Sequence, residues 1–240
     1  MPTVEDEDAR HFHRERETLK KERTAHTNRV KGLLMLHGIR LKRIEEDFER
    51  RLGEFRLKDG RPLPPQLRRR LEREYQRLAS VDDQLELLAV QRREALRHST
   101  DERIAKVRKL LQLRGVGEVG SWTVVMEMFG WRVFKNRRQV ASLVGLTGTP
   151  SDSGGIDKEQ GIDKAGNARV RALLIEMAWN WVRWQPNSDI TLWFKRKFGG
   201  GGKRHRRIGI VGVARRLLIA FWRYLEQDVD PPGAIIFHSN

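Results

Sequence analysis

The 240-residue sequence has no cysteine, which excludes disulfides, thiolate nucleophiles and thiolate zinc sites and fits a reducing interior. It has no uncharged apolar run of membrane-spanning length, and no signal-peptide core opens it. A cytoplasmic location and no membrane partner are the expectations. Acidic residues are the minority charge: 32 Asp and Glu stand against 48 Lys and Arg, a formal net charge of +16. A polyanion is then the default partner, because each phosphate neutralised by Lys or Arg releases condensed counterions. The basic excess occurs in both halves of the chain. What is present is a hydrophobic content of 38% with seven tryptophans, enough to bury a core and too much for a disordered tail.

Hydrophobic spacing predicts a mostly α protein. Residues Asp8–Ile39 read as one helix with Leu19, Val30, Leu33, Leu34 and Leu36 as its apolar positions. The pattern continues through Leu41, Ile44, Phe48 and Leu52 until Gly53, Gly60 and the cluster Pro62, Pro64 and Pro65 interrupt it. From Leu67 the residues Leu71, Tyr75, Leu78, Val81, Leu85 and Leu88 recur at steps of three and four, the spacing of a coiled-coil seam. Two helices folded back on each other in one chain would satisfy both seams, and so would a homodimer. The spacing does not choose between them; residues 1–103 are expected to form a coiled-coil helical region, with a long antiparallel helical coiled coil as the fold class adopted. Residues 104–240 are expected to form a compact helical domain, with an apolar helix over Val170–Trp184 and a last helix over Ile208–Gln227.

Several segments carry candidate chemistry. Arg114-Gly115-Val116-Gly117-Glu118-Val119-Gly120 lies between two apolar helical stretches, in the pattern of a helix-hairpin-helix. Its glycines would let the backbone approach a phosphate, and the N–H groups opening the next helix would bind it. The bland reading is a tight turn in which glycine supplies only left-handed dihedrals. Gly115, Gly117 and Gly120 also have dinucleotide-loop spacing, but the segment before them is helical rather than a strand, which rules out a cofactor site. Ser151 and Ser153 lie in a glycine-rich stretch ahead of Lys164, Asn167, Arg169 and Arg171. They are either turn residues or hydroxyls poised beside cations for phosphodiester attack. The tryptophans Trp179, Trp181, Trp184 and Trp193 are expected in the core rather than stacked on bases. The Lys203–Arg207 cluster behind four glycines reads equally as a phosphate clamp or as a solvated loop. His11, His13 and His26 have no accompanying ligand set, and Glu5–Asp8 read as the acidic start of a helix, so no metal is assigned to this chain.

Taken in order, Arg14–Leu34, the segments LLQLRGVGEVGSWTVV, ASLVGLTGTPSDSGG and GIDKAGNARVRALLIEMAW, and GVARRLLIAFWRYLE resemble the latter two-thirds of the one-hundred-ten class of insertion-sequence transposases, the Piv/MooV-like DEDD recombinases. The Ser-Gly followed by G-I-x-K-x-G-N-x-x-x-R is the most specific part. The resemblance implies a RuvC-like domain with four metal-binding acids ahead of this segment, then a coiled coil, then a transposase domain with a serine nucleophile. It places the nucleophile at Ser153, with Ser151 as fallback, and the K-x-G-N turn on Lys164, Gly166 and Asn167. It implies DNA and an element-encoded bridge RNA as partners, self-association through the coiled coil, and Mg²⁺ held by the RuvC-like domain rather than here. This sequence starts past the D-x-x-D motif of that domain, so a fragment inactive alone is expected. The alternative is a non-catalytic DNA- or RNA-binding remnant.

Overall fold

The computed structural model describes residues 2–146, 148–149, 160–162 and 165–237. It is mostly helical, and its contacts divide it into two compact units. One comprises His11–Arg97, and the other Met1–Arg10 together with His98–Asn240.

The unit His11–Arg97 is built on α1 (Val4–Met35) and α3 (Pro65–His98). Leu19 packs with Val81 and Leu88, while Val30 and Leu34 pack with Leu71, so the two helices run antiparallel. Both apolar stripes are satisfied within one chain, which is the first of the two arrangements the sequence allowed. Glu74 is buried on this seam, and its carboxylate meets His26 Nδ1 at 2.7 Å, Arg29 at 3.2 Å and Arg77 at 2.8 Å. Burial alone would raise its pKa, but the bonds from His26 and Arg29 and the charges of Arg29 and Arg77 outweigh burial and hold it below the usual carboxylate range.

The helical pattern expected to run on to Leu52 does not. α1 stops at Met35 because Gly38 takes a left-handed φ of 78°, with Gly38 N–H bonding Met35 O and Ile39 N–H bonding Leu34 O. Ile39, Leu41 and Ile44 then line a loop, and a single turn of helix, α2 (Phe48–Arg51), places Phe48 and Leu52 against Val30, Leu34 and Leu71. The apolar residues are core, but loop core rather than helix face.

The other unit holds α4 (Glu102–Leu111), α5 (Glu118–Val124), α6 (Arg137–Leu143), α7 (Ala168–Trp184), α8 (Asp189–Phe198) and α9 (Lys203–Glu226). A short antiparallel pair, β1 (Gly148–Thr149) and β2 (Gln160–Ile162), lies between α6 and α7. α9 is the central element, burying Ile210, Val213, Ala214, Leu217, Leu218 and Phe221 against its neighbours. Trp181 of α7 meets Phe221 edge-on at 6.2 Å between centroids.

Three boundaries differ from the sequence reading. The expected division at 103/104 falls inside α4, which begins earlier because the Asp101 side chain accepts from Arg103 N–H and caps it. The first ten residues belong with the C-terminal unit: Arg10 Nε donates to Met126 O at 3.4 Å, its guanidinium lies 4.6 Å from the Trp131 ring centroid, and Arg103 reaches Glu5 O. The last helix also starts earlier than expected. Lys203–Arg207 are its first turns rather than a loop, because Gly209 lets α9 approach Phe198 and Phe194 and packing overrides the run of like charge.

Candidate functional site

The turn from α4 into α5 is rigid on one side and open on the other. Gly115 has φ 84°, and a Cβ there would lie 2.8 Å from Trp184 Cβ. Gly120 is buried against Met177. Gly117, the N-cap of α5, meets nothing within 4 Å of its Cβ position, so this is where the backbone is accessible. Arg114 is exposed, and Arg114 and Arg183 bring their guanidinium carbons 5.5 and 5.2 Å from the Trp184 ring centroid. Gln185 is buried behind the turn, where Nε2 donates to Arg114 O and Ile235 O and Oε1 accepts from Ile235 N–H. A bridge pairs Leu113 with Ile236, and Phe237 N–H bonds Gln112 O.

α5 passes into a π-helical turn, Val125–Phe129, within an apolar run. Such a turn leaves carbonyls turned out of the regular ladder, and polar side chains take them up. Arg10 reaches Met126 O, Trp131 Nε1 donates to Glu127 O, and Lys106 Nζ donates to Phe129 O at 2.8 Å. The turn also carries a carboxylate, Glu127, only 3% exposed. Glu127 accepts from Asn167 Nδ2 at 2.9 Å and from Arg169 Nη1 at 3.3 Å. Sequence reasoning passed it over, although a single acid inside SWTVVMEMFG was a usable signal.

Asn167 also caps α7, its Oδ1 accepting from Val170 N–H at 3.1 Å. Its own N–H bonds Leu143 O at the end of α6. Gly166, with φ 102°, lies so close that a Cβ would fall 2.3 Å from Leu143 O and 3.3 Å from Gly145 N. Arg171 Nη1 donates to Val144 O. The segment leaving α6 therefore returns to α7 at its point of departure, closed there by Gly166, Asn167 and Arg171 and again by the pairing of β1 with β2. Ser151, Ser153 and Lys164 belong to this segment and lie outside the described residues.

The predicted residues thus gather into two groups rather than one pocket. Arg114 and Gly115 stand beside Trp184 at the C-terminal end of α7, with Gly117 following in the same turn, and Asn167, Arg169 and Arg171 stand at its N-terminal end. The 17 residues of α7 separate them by roughly 25 Å at 1.5 Å per residue. Of the tryptophans expected in the core, Trp181 is fully buried, Trp193 lies half-buried beneath Arg216, and Trp179 and Trp184 are each 41% exposed. Among the described residues no three His, Asp or Glu side chains converge as a metal site, and no helix is long and apolar enough to cross a membrane.

Residues 107–191, which include both groups, match the family described as Transposase IS116/IS110/IS902. The chain is similar to a Sinorhizobium fredii protein described as a transposase, with 39% identity over 98% of this chain and 62% of that protein. It is similar to a Pseudomonas aeruginosa protein described as a family 20 transposase, with 30% identity over 95% of this chain and 66% of that protein. It is also similar to the transposase for insertion sequence element IS1111A of Coxiella burnetii, with 27% identity over 80% of this chain and 52% of that protein. The chain spans between about half and two-thirds of the length of these relatives.

Proposed function

We propose that this chain, which belongs to the IS116/IS110/IS902 family of transposases, binds the DNA of a mobile element and supplies the serine nucleophile of its transposition. The observation that carries the reading is the closed base of the Ser153 segment. Leu143, Gly145 and Val144 on one strand of the chain and Gly166, Asn167 and Arg171 on the other hold its two ends together. A held base is what would let a nucleophile on such a segment meet a phosphate at reduced entropic cost. In the step itself, Ser153 Oγ forms an ester bond to phosphorus as one bridging P–O bond breaks, and the released oxygen ends as a hydroxyl.

DNA or bridge RNA would contact the open Gly117 amide region and Arg114 at one end of α7, and Lys164, Arg169 and Arg171 at the other. A duplex backbone carries one charge per about 1.7 Å of axis, so a single phosphate cannot reach both groups but a bound duplex can. The turn over residues 112–117 then works as a helix-hairpin-helix-like phosphate contact, and the α1–α3 pair as the family's coiled coil. Any self-association through that pair uses residues other than the seam, since Leu19, Leu71 and Leu78 are buried within one chain. The family resemblance implies Mg²⁺ and assigns it to the acids of a RuvC-like domain rather than to residues of this segment.

The test supplies the chain with a RuvC-like domain from a full-length relative, Mg²⁺ and duplex DNA, and looks for a covalent protein–DNA adduct. An adduct lost in Ser153→Ala and kept in Ser151→Ala supports the assignment. Loss in Ser151→Ala alone moves the nucleophile. No adduct from any version, with DNA binding intact, makes the chain a binding protein without strand-transfer chemistry.

A further inference from the structure

The corner between α8 and α9 carries Lys195, Arg196 and Lys197 at the end of one helix and Lys203, Arg204, Arg206 and Arg207 at the start of the next, all exposed. No side chain among them forms an ion pair with a described acid; Lys195 bonds the Pro186 carbonyl. Cations at the end of α8 suit the helix dipole, but those in the first turns of α9 oppose it, and like charges at i,i+3 and i,i+4 repel. α9 has neither an acid in its first turn nor a side-chain cap on Gly202. The local sequence therefore works against the helix start that is observed.

Packing holds the corner in place. Phe198 lies between His205, tilted at 4.8 Å between centroids, and Trp193, edge-on at 5.4 Å, and His205 bonds Lys197 O. Gly209 and Gly212 admit Phe198 and Trp193 against α9, and Arg216 lies 4.1 Å over the Trp193 ring. The cations are thus displayed on a fixed scaffold at a cost to the stability of the helix end.

We propose that the α8–α9 corner is a second nucleic-acid surface, which docks the phosphate backbone of a DNA duplex. This rests on the reading of the chain as a nucleic-acid-binding protein, but uses elements that carry none of the Ser153-associated residues. The aromatic rings of the corner are committed to holding α8 on α9, so the surface offers cations rather than stacking platforms, which favours a duplex backbone over unstacked bases.

The experiment compares the full chain with Lys203→Glu/Arg204→Glu and with Arg69→Glu/Arg70→Glu, an exposed pair on α3 that changes net charge equally. Binding to a DNA duplex, an RNA duplex and a single strand of equal length is measured across a salt series, together with thermal unfolding. On a duplex, the α9 variant should lose about tenfold or more in affinity and about two units of salt slope, while melting no lower than the parent because acids now suit the dipole. Loss confined to the RNA duplex overturns the assignment to DNA. Equal loss in both variants, or loss confined to the single strand, overturns the proposal. If the α9 variant binds normally while Arg169→Glu/Arg171→Glu does not, the corner is excluded and the Ser153-associated reading stands. If the parent chain binds no nucleic acid, both fall.

Discussion

Asn167 and Glu127 lie forty residues apart in sequence and meet at 2.9 Å, Nδ2 donating to a carboxylate that is almost wholly buried. The same asparagine starts α7 with its other side-chain atom, so one residue fixes both the helix start and its register against the π-helical turn.

Removing the carboxylate exposes that dependence. Glu127→Ala should destabilise the protein by about 2 kcal/mol, the range for losing hydrogen bonds to a buried charged group, with Arg169 partly compensated by its 34% exposure. Asn167→Asp keeps the cap but sets two carboxylates together, and should be worse than Asn167→Ser, which keeps the cap without the charge. Urea unfolding of the three variants checks the order. Equal stability of Asp and Ser at 167 would refute the contact.

Two glycines of the candidate site should behave oppositely. Gly166→Ala forces a Cβ to 2.3 Å from Leu143 O in a left-handed conformation and should cost about 2 kcal/mol or more. Gly117→Ala meets open space at φ −93° and should cost less than about 1 kcal/mol, while weakening nucleic-acid binding if the backbone there approaches a phosphate. Melting curves and binding titrations of both variants separate the roles.

Acidification should loosen the helical unit through Glu74. Its carboxyl titrates below the ordinary value of 4.5 when folded, so its stabilising contribution is present above that value and is lost as pH falls through the depressed folded pKa. Glu74→Gln should flatten the acid limb of stability against pH below about pH 5. An unchanged acid limb would show that the ion cluster on the seam contributes nothing.

Gln185→Leu removes three buried hydrogen bonds and leaves Ile235 N–H and two carbonyls without it. The expected loss is about 2–4 kcal/mol, with faster proteolysis of residues 234–237 than of the α7 helix. Limited digestion followed by mass spectrometry reads this directly.

What could be read beforehand was whatever local chemistry alone decides. α7 was legible because its apolar period, the Gly166–Asn167 start and the absence of internal breakers agree, and α3 was legible from Leu71, Leu78, Val81 and Leu88. The end of α1 was missed because Ile39, Leu41 and Ile44 keep a helical rhythm past Gly38 while packing from a loop. The start of α9 was missed because five consecutive basic residues look solvated until Phe194 and Phe198 are found packed on Gly209. Glu127 was hidden for another reason. Its meaning lies in Asn167 and Arg169, and no periodicity links an acid to partners that far along the chain.

The pairing of Gln112 and Leu113 with Ile236 and Phe237 gives the hairpin at Gly115 a place in time as well as in space. During synthesis α4 and α5 emerge long before the segment that completes their turn. Until residues 235–237 arrive, Arg114 lacks the Ile235 carbonyl that its N–H bonds, and Gln185 lacks half its partners. A nascent chain therefore carries the charge of the turn before the partners that fix its backbone. Its settled geometry depends on a segment that emerges long after the turn itself.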